Sequence, residues 1–176
     1  MAANRHSGHH GETEAEQPDY SVLSEGSLET LETAEKLFSE FNPHRGLLKD
    51  LPQLTLEASA IDQACQIAKN DPSLSLKMLL CMSCVDYEER LQMVYFLHSL
   101  EKERTLVIKA DLPLEEPVIP SVSHVWAAAE WYEREARDLF GVAFQGNPDD
   151  APLLLYEGFG DHPGRKSYPF YEYREF

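Results

Sequence analysis

Three apolar runs follow one another between Leu76 and Asp111, parted only by the short polar links Asp86–Arg90 and Glu101–Arg104. Leu76–Val85 is apolar almost throughout. Leu91–Leu100 carries Val94, Tyr95 and Phe96 at its centre, and Thr105–Asp111 alternates, with Leu106 and Ile108 on one side. Aromatic and β-branched residues suit a pleated surface, and links this short suit antiparallel hairpins. The unbroken apolarity of the first run predicts a strand buried on both faces. Pro113, Pro117 and Pro120 then predict the end of the sheet.

Helical spacing appears on either side. Leu28, Leu31, Ala34, Leu37, Phe38 and Phe41 recur at three and four. That predicts a helix over 28–41, with Ser27 as N-cap and Asn42-Pro43 as its stop. Leu54 and Leu56 mark a strand over 51–57. Ile61, Ala64, Cys65 and Ala68 give a second helix over 60–69, entered by a capping box of Ser59 and Asp62. A third helix is predicted over 121–140, with Val125, Ala128, Ala129, Tyr132, Ala136 and Leu139 along one side. Glu130–Arg134 and Glu133–Arg137 are spaced to pair along it, and Gly141 is placed to end it. The fold class is therefore α+β: a small, mostly antiparallel sheet of about four strands with helices packed on it, plus an extended C-terminal arm. The division is an acidic tail over 1–25, the α+β domain over 26–144 and the arm over 145–176.

The arm is broken by Pro148, Pro152, Pro163 and Pro169, yet holds Tyr156, Phe159, Tyr168, Phe170, Tyr171, Tyr173 and Phe176. Rings in that number need burial, which points to a partner polypeptide. The 176 residues carry 31 acidic and 15 basic side chains, for a net charge of −16. Such a chain will not neutralise phosphates, is repelled by anionic headgroups, and has no run of roughly 20 apolar residues to span a bilayer. No direct membrane insertion and no nucleic-acid partner are expected. The polar N-terminus lacks an apolar signal core, and Glu12, Glu14, Glu16 and Asp19 outnumber Arg5, unlike a transit peptide. A cytosolic, bacterial or archaeal location is expected, with Cys65, Cys81 and Cys84 as reduced thiols.

Candidate chemistry is sparse. Cys81 and Cys84 form a C-x-x-C, but strand parity sends i and i+3 to opposite faces, and no second pair completes a zinc site. Glu133, Glu135 and Asp138 are interleaved with Arg134 and Arg137, as on a solvated or partner-facing helix. His98 and His124 read as hydrogen-bonded structural residues, and His6, His9 and His10 as part of a mobile tail. Gly158-Phe159-Gly160-Asp161 lacks the spacing of a phosphate loop.

One run carries more information. Trp131-Tyr-Glu-Arg-Glu-Ala-Arg-Asp-Leu-Phe-Gly-Val-Ala-Phe-Gln-Gly-Asn-Pro-Asp149 places Glu133, Arg134, Glu135, Asp138, Phe140, Gly141, Phe144, Gly146, Asn147, Pro148 and Asp149 on one gapless pattern. His162, Pro163, Arg165, Lys166 and Tyr168 follow in a second. Upstream lie Cys84-Val-Asp86-Tyr87, Val94–Leu97 and Pro120–Trp126. Together these resemble the 30 kDa (C-type) subunit of the proton-pumping NADH–quinone oxidoreductase, complex I, over roughly residues 50–175. The sequence departs from that pattern at Ala151-Pro152, where two arginines are usual. It departs again at Gly164, usually larger and apolar, and at Ser167, usually Asp.

The resemblance implies a peripheral subunit on the cytoplasmic side of the inner (plasma) membrane. It implies no catalytic, cofactor-binding or metal-binding residue on this chain. Quinone, iron–sulfur clusters and, where NADH is oxidised, FMN would lie elsewhere in the complex. The partners implied are the large quinone-site subunit and neighbouring iron–sulfur subunits, with the arm wrapping over the quinone-site subunit. An alternative is the equivalent subunit of a membrane-bound nickel–iron hydrogenase or formate hydrogenlyase. Two readings from other classes are a free-standing enzyme using the 133–138 carboxylates and a small zinc or redox module.

Overall fold

The computed structural model describes residues 18–149 and 151–169. In chain order they form α1 (Glu25–Leu37), β1 (His44–Leu48), β2 (Leu51–Leu56), α2 (Ile61–Asn70), β3 (Met78–Asp86), β4 (Arg90–Ser99), β5 (Arg104–Pro113), β6 (Val118–Pro120), α3 (Ala129–Phe140) and β7 (Ala143–Gln145). The three apolar runs become the meander β3–β4–β5. Tyr87 N–H closes the first hairpin on Arg90 O at 2.9 Å, and Tyr95 stands opposite both Met82 and Ile108.

The main sheet has five strands in the order β1-β2-β5-β4-β3. β1 lies antiparallel to β2, and β2 runs parallel to β5, with Leu54 opposite Ile108. The predicted count of about four fell short because His44–Leu48 is too brief to show a period. Residues of one parity, among them Leu54, Leu56, Met93, Tyr95, Leu97, Leu106 and Ile108, share one buried cluster with Leu31, Ala34 and Phe38 of α1, Ile61 and Ala64 of α2, and Ala136 of α3. Phe96, His98, Thr105 and Lys109 have the other parity and are only half-buried.

β3 is an edge strand rather than one covered on both faces, and it exposes Met78 (42%) and Leu80 (45%). Its register slips between Leu79 and Cys81. The prolines did not end β structure. β6 pairs in parallel with β7 in a separate two-stranded sheet. Pro117 O accepts Ala143 N–H at 2.8 Å and Gln145 O accepts Ser121 N–H at 2.8 Å: a proline lacks only the donor, and its carbonyl still pairs.

The helix starts differ as well. Ser24 caps α1, accepting Ser27 N–H at 3.1 Å. α2 is entered through a 3₁₀ turn, Ala58–Ala60, with no side-chain cap, and Asp62 turns instead to His124 Nε2 at 2.9 Å. α3 begins at Ala129, because residues 121–128 are folded into turns, with Trp126 N–H on Val122 O at 3.0 Å. His98 bonds Thr105 Oγ1 at 3.0 Å, so both histidines are hydrogen-bonded. Residues 1–17, including His6, His9 and His10, lie outside the described residues, as do Phe170, Tyr171, Tyr173 and Phe176. Among the described residues no helix is long and apolar enough to cross a membrane.

Candidate functional site

The signature residues gather where α3 meets the chain that follows it. Helical spacing splits them between two sides of α3. Glu133 faces inward and is 1% exposed. Its carboxylate accepts Ser121 Oγ–H at 2.7 Å, Val122 N–H at 2.7 Å and Asn147 Nδ2–H at 2.7 Å. One side chain thus ties the entry to α3, the helix and the turn beyond β7. Burial pushes its carboxyl above the usual carboxylate range, against the pull of those three donors. The reading of 133–138 as a solvated or partner-facing charge run is corrected at Glu133, which is core.

Arg134, Arg137 and Asp138 take the other side and hold the strap, residues 147–149 and 151–168. Arg134 Nε and Nη2 donate to Ala151 O and Pro152 O, each at 3.1 Å, while Nη1 pairs with Asp149 at 2.8 Å. Arg137 Nη2 donates to Ala151 O at 2.8 Å. Asp138 Oδ2 accepts three successive main-chain N–H groups, of Leu153 (2.8 Å), Leu154 (2.8 Å) and Leu155 (3.2 Å). Burial would raise the Asp138 carboxyl, but these amides outweigh it and hold it below its ordinary value. Pro148 sits in the turn where Asp149 N–H reaches Asn147 Oδ1 at 2.9 Å. Phe144 lies in β7, half-buried against the core.

Further along, the strap is sewn to the end of α3. Gly141 takes the left-handed conformation (φ 76°) that ends the helix. A Cβ there would stand 2.4 Å from His162 Nε2. His162 Nδ1–H donates to Asp138 O at 3.1 Å, Gly164 N–H to Leu139 O at 2.8 Å, and Arg165 Nε to Phe140 O at 2.7 Å. A Cβ on Gly164 would meet Leu139 O at 2.9 Å, so no larger residue fits this path. Pro163 lies between these stitches. Asp86, at the end of β3, accepts Lys166 N–H at 2.8 Å and Glu88 N–H at 2.6 Å, and Lys166 Nζ reaches Glu88 at 3.2 Å. Burial opposes ionisation of Asp86, yet those amides, with Lys166 and Arg165, keep its carboxyl low.

The main chain of the strap is bonded to its own helix at Ala151–Leu155 and again at Gly164. Its rings group among themselves: Tyr156 against Phe159 edge-on at 5.3 Å, and Phe159 stacked on Tyr168 at 6.5 Å. Glu135 stands apart, exposed on a different side of α3. The sequence patterns included Ser121 and Asp86 but gave neither a role. A lone Ser after proline and a lone Asp in a hairpin carry no local signal for a bond 12 or 80 residues away. Cys81 and Cys84 fall on opposite faces of β3 as parity requires. Burial pushes the Cys84 thiol up to about 12 and raises those of Cys65 and Cys81 too.

Residues 54–174 match the profile of the respiratory-chain NADH dehydrogenase 30 kDa subunit. This chain belongs to that family. Among relatives in the 30 kDa family, the C-type NADH-quinone oxidoreductase subunit of Salinispora arenicola is 33% identical over 162 residues, covering 89% of this chain and 65% of the relative. Its counterpart in Acidithiobacillus ferrooxidans is 37% identical over 131 residues, 68% of this chain and 65% of the relative. This chain therefore spans just under two thirds of the length of these relatives. Two solved structures share the fold. The trypsin-resistant fragment (1–134) of Nqo5 superposes with a TM-score of 0.60 at 24% identity, over 68% of this chain and 98% of the fragment. A chain of the membrane-bound sulfane sulfur reductase, an archaeal respiratory membrane complex, gives 0.65 at 26% identity, over 78% of this chain and 84% of that chain. Of the residues singled out in the sequence, Glu133, Arg134, Asp138, His162 and Arg165 carry side-chain bonds between α3 and the strap.

Proposed function

We propose that this chain is a non-catalytic scaffold subunit in the peripheral arm of a donor–quinone oxidoreductase. In that role it docks on the large quinone-site subunit at the cytoplasmic face of the membrane, and quinone, iron–sulfur clusters and any FMN sit on its partners. The observation that carries this reading is an apolar strip on the outside of α3 and the strap. Trp131 is 57% exposed, Leu154 58% and Tyr156 71%. Arg134 links the two halves of the strip, its guanidinium carbon 5.2 Å from the Trp131 ring while its nitrogens hold Ala151 and Pro152. Large aromatics exposed beside an ordered arginine are the composition of an interface anchor. The carboxylates around them act on main-chain amides and hydroxyls, which is positioning. A scaffold of this kind keeps neighbouring redox centres at fixed separation.

The test is affinity purification from the native host of the chain carrying Trp131→Ala, Leu154→Ala and Tyr156→Ala together. The expected result is loss of the large quinone-site partner with the folded content of the chain unchanged. Full assembly with electron transfer abolished would sink the scaffold reading. The likeness to a chain of the sulfane sulfur reductase, a respiratory membrane complex named for another activity, favours a second reading, the equivalent subunit of a membrane-bound nickel–iron hydrogenase or formate hydrogenlyase. Nickel in the purified assembly selects the second reading, and quinone reduction the first.

A further inference from the structure

The structure points to a second docking site, a slot along the free edge of β3 that takes an extended segment of a partner polypeptide. β3 ends the five-stranded sheet, and the groove between it and α3 has a volume of about 220 Å³, lined by Met82, Ser83, Cys84, Tyr132, Ala136 and Phe140. Three consecutive strand residues can line one groove only if it runs beside the backbone and not over one face. The hairpin fixes which backbone groups face it. Tyr87 N–H pairs inward with Arg90 O. In an antiparallel ladder hydrogen-bonded residues alternate, so Val85 and Ser83 also bond β4, through Gln92 and Val94. Met82 and Cys84 then turn their N–H and C=O outward, into the groove.

The ends of the slot are closed. Tyr132 Oη–H donates to Leu80 O at 3.3 Å, and at the other end Asp86 is taken by Lys166 and Glu88. The open stretch is therefore Met82 to Cys84, too short for edge pairing of two full β3 strands, which argues against a second copy of this chain. Met82, Cys84, Ala136, Phe140 and the Tyr132 ring make the walls largely apolar, with the Ser83 hydroxyl and one carboxylate among them. Glu135 lines the groove, is exposed, and has no ion-pair partner among the described residues. A net charge of −16 adds to its field.

The partner segment adds here as a short strand, with an apolar side chain against Tyr132 and Ala136 and, two residues away on the same face, a Lys or Arg on Glu135. Main-chain bonds supply affinity in such strand addition, and side chains at alternate positions supply selection. The site lies on the side of α3 away from Arg134 and Asp138 and does not rest on the scaffold reading; the strap meets it at Lys166, which closes one end.

The experiment is a titration of the isotopically labelled full chain, followed by amide resonances. The probe is a blocked pentapeptide of sequence Thr-Val-Thr-Arg-Thr, which places Val and Arg on one face of a strand. Saturating shifts centred on Met82, Ser83 and Cys84 are expected. The same peptide with alternate amides N-methylated keeps its side chains but loses the ladder, and should bind at least about tenfold more weakly. Glu135→Lys should weaken the unmethylated peptide by a similar factor with the spectrum otherwise unchanged. Absence of saturating shifts overturns the inference. So does equal binding of the methylated peptide, since contact would then be by side chains alone. Indifference to Glu135→Lys overturns the basic selectivity. Shifts at the same three residues that grow with protein concentration alone would assign the edge to a second copy instead.

Discussion

The carboxylate of Asp138 accepts the N–H of Leu154 at 2.8 Å across 16 residues of chain, and the same oxygen takes Leu153 and Leu155. A buried anion on three amides is a strong local clamp. Asp138→Ala leaves those amides without their acceptor and should destabilise the fold by roughly 2–4 kcal/mol. Urea unfolding measures the loss, and amide exchange at Leu153–Leu155 should accelerate more than exchange in β4. Unchanged exchange there would mean that the clamp does not hold the strap.

Glu133 and Asp138 should give pH profiles of opposite sign. The folded-state pKa of Glu133 is raised above 4.5, so the native state binds its proton more tightly than the unfolded chain. Its contribution is complete below that value and is lost as pH rises through the folded pKa. The folded-state pKa of Asp138 is lowered below 3.8, so its contribution is present above that value and is lost as pH falls through the folded pKa. Relative to Glu133→Gln, the wild type should lose stability on going from pH 4.5 towards neutrality. Relative to Asp138→Asn, it should gain stability as pH rises to 3.8. Parallel profiles for wild type and both variants would refute the assignment.

Gly141→Ala combines a left-handed backbone (φ 76°) with a Cβ placed 2.4 Å from His162 Nε2. The conformational part alone is about 1 kcal/mol, and the collision adds to it. His162→Ala in the same chain should relieve the collision and leave the conformational part. A double-mutant cycle by thermal or urea unfolding would show that coupling; additive single effects would rule out the contact.

Thiol accessibility should separate the three cysteines. Cys65 and Cys84 are buried and Cys81 is partly exposed. At mildly alkaline pH one thiol should react quickly with a chromogenic disulfide reagent, with the other two following only on unfolding. Cys81→Ser should remove the fast phase. Three equal rates in the native protein would contradict the burial.

The meander was legible because each run is apolar and each link short, so local pattern and topology agree. β2 beside β5 was not, since a parallel pairing of Leu54 with Ile108 is set by packing between distant segments and leaves no local trace. Apolarity misled at β3: Met78 and Leu80 sit on the exposed side of an edge strand, where pattern alone predicts burial. At the site, the run from Glu133 to Asp138 stood out as a motif, and the residues it contains do converge. Their division was obscured by treating the charges as one surface, whereas a step of one residue on a helix turns Glu133 into the core and Arg134 towards the strap. The tie between Asp86 and Lys166 spans 80 residues and could only be seen in three dimensions.

Arg134 and Arg137 grip Ala151 and Pro152 by their carbonyl oxygens, an atom every amino acid supplies. Selection on those two positions is therefore blind to side-chain identity as far as this grip goes, which is how a methyl group and a pyrrolidine ring can stand where arginines are customary. At Ala151 and Pro152 the fastening is written into the helix and the chain offers only backbone, so these two positions are free to drift and to be recoded for a different neighbour without loosening the joint.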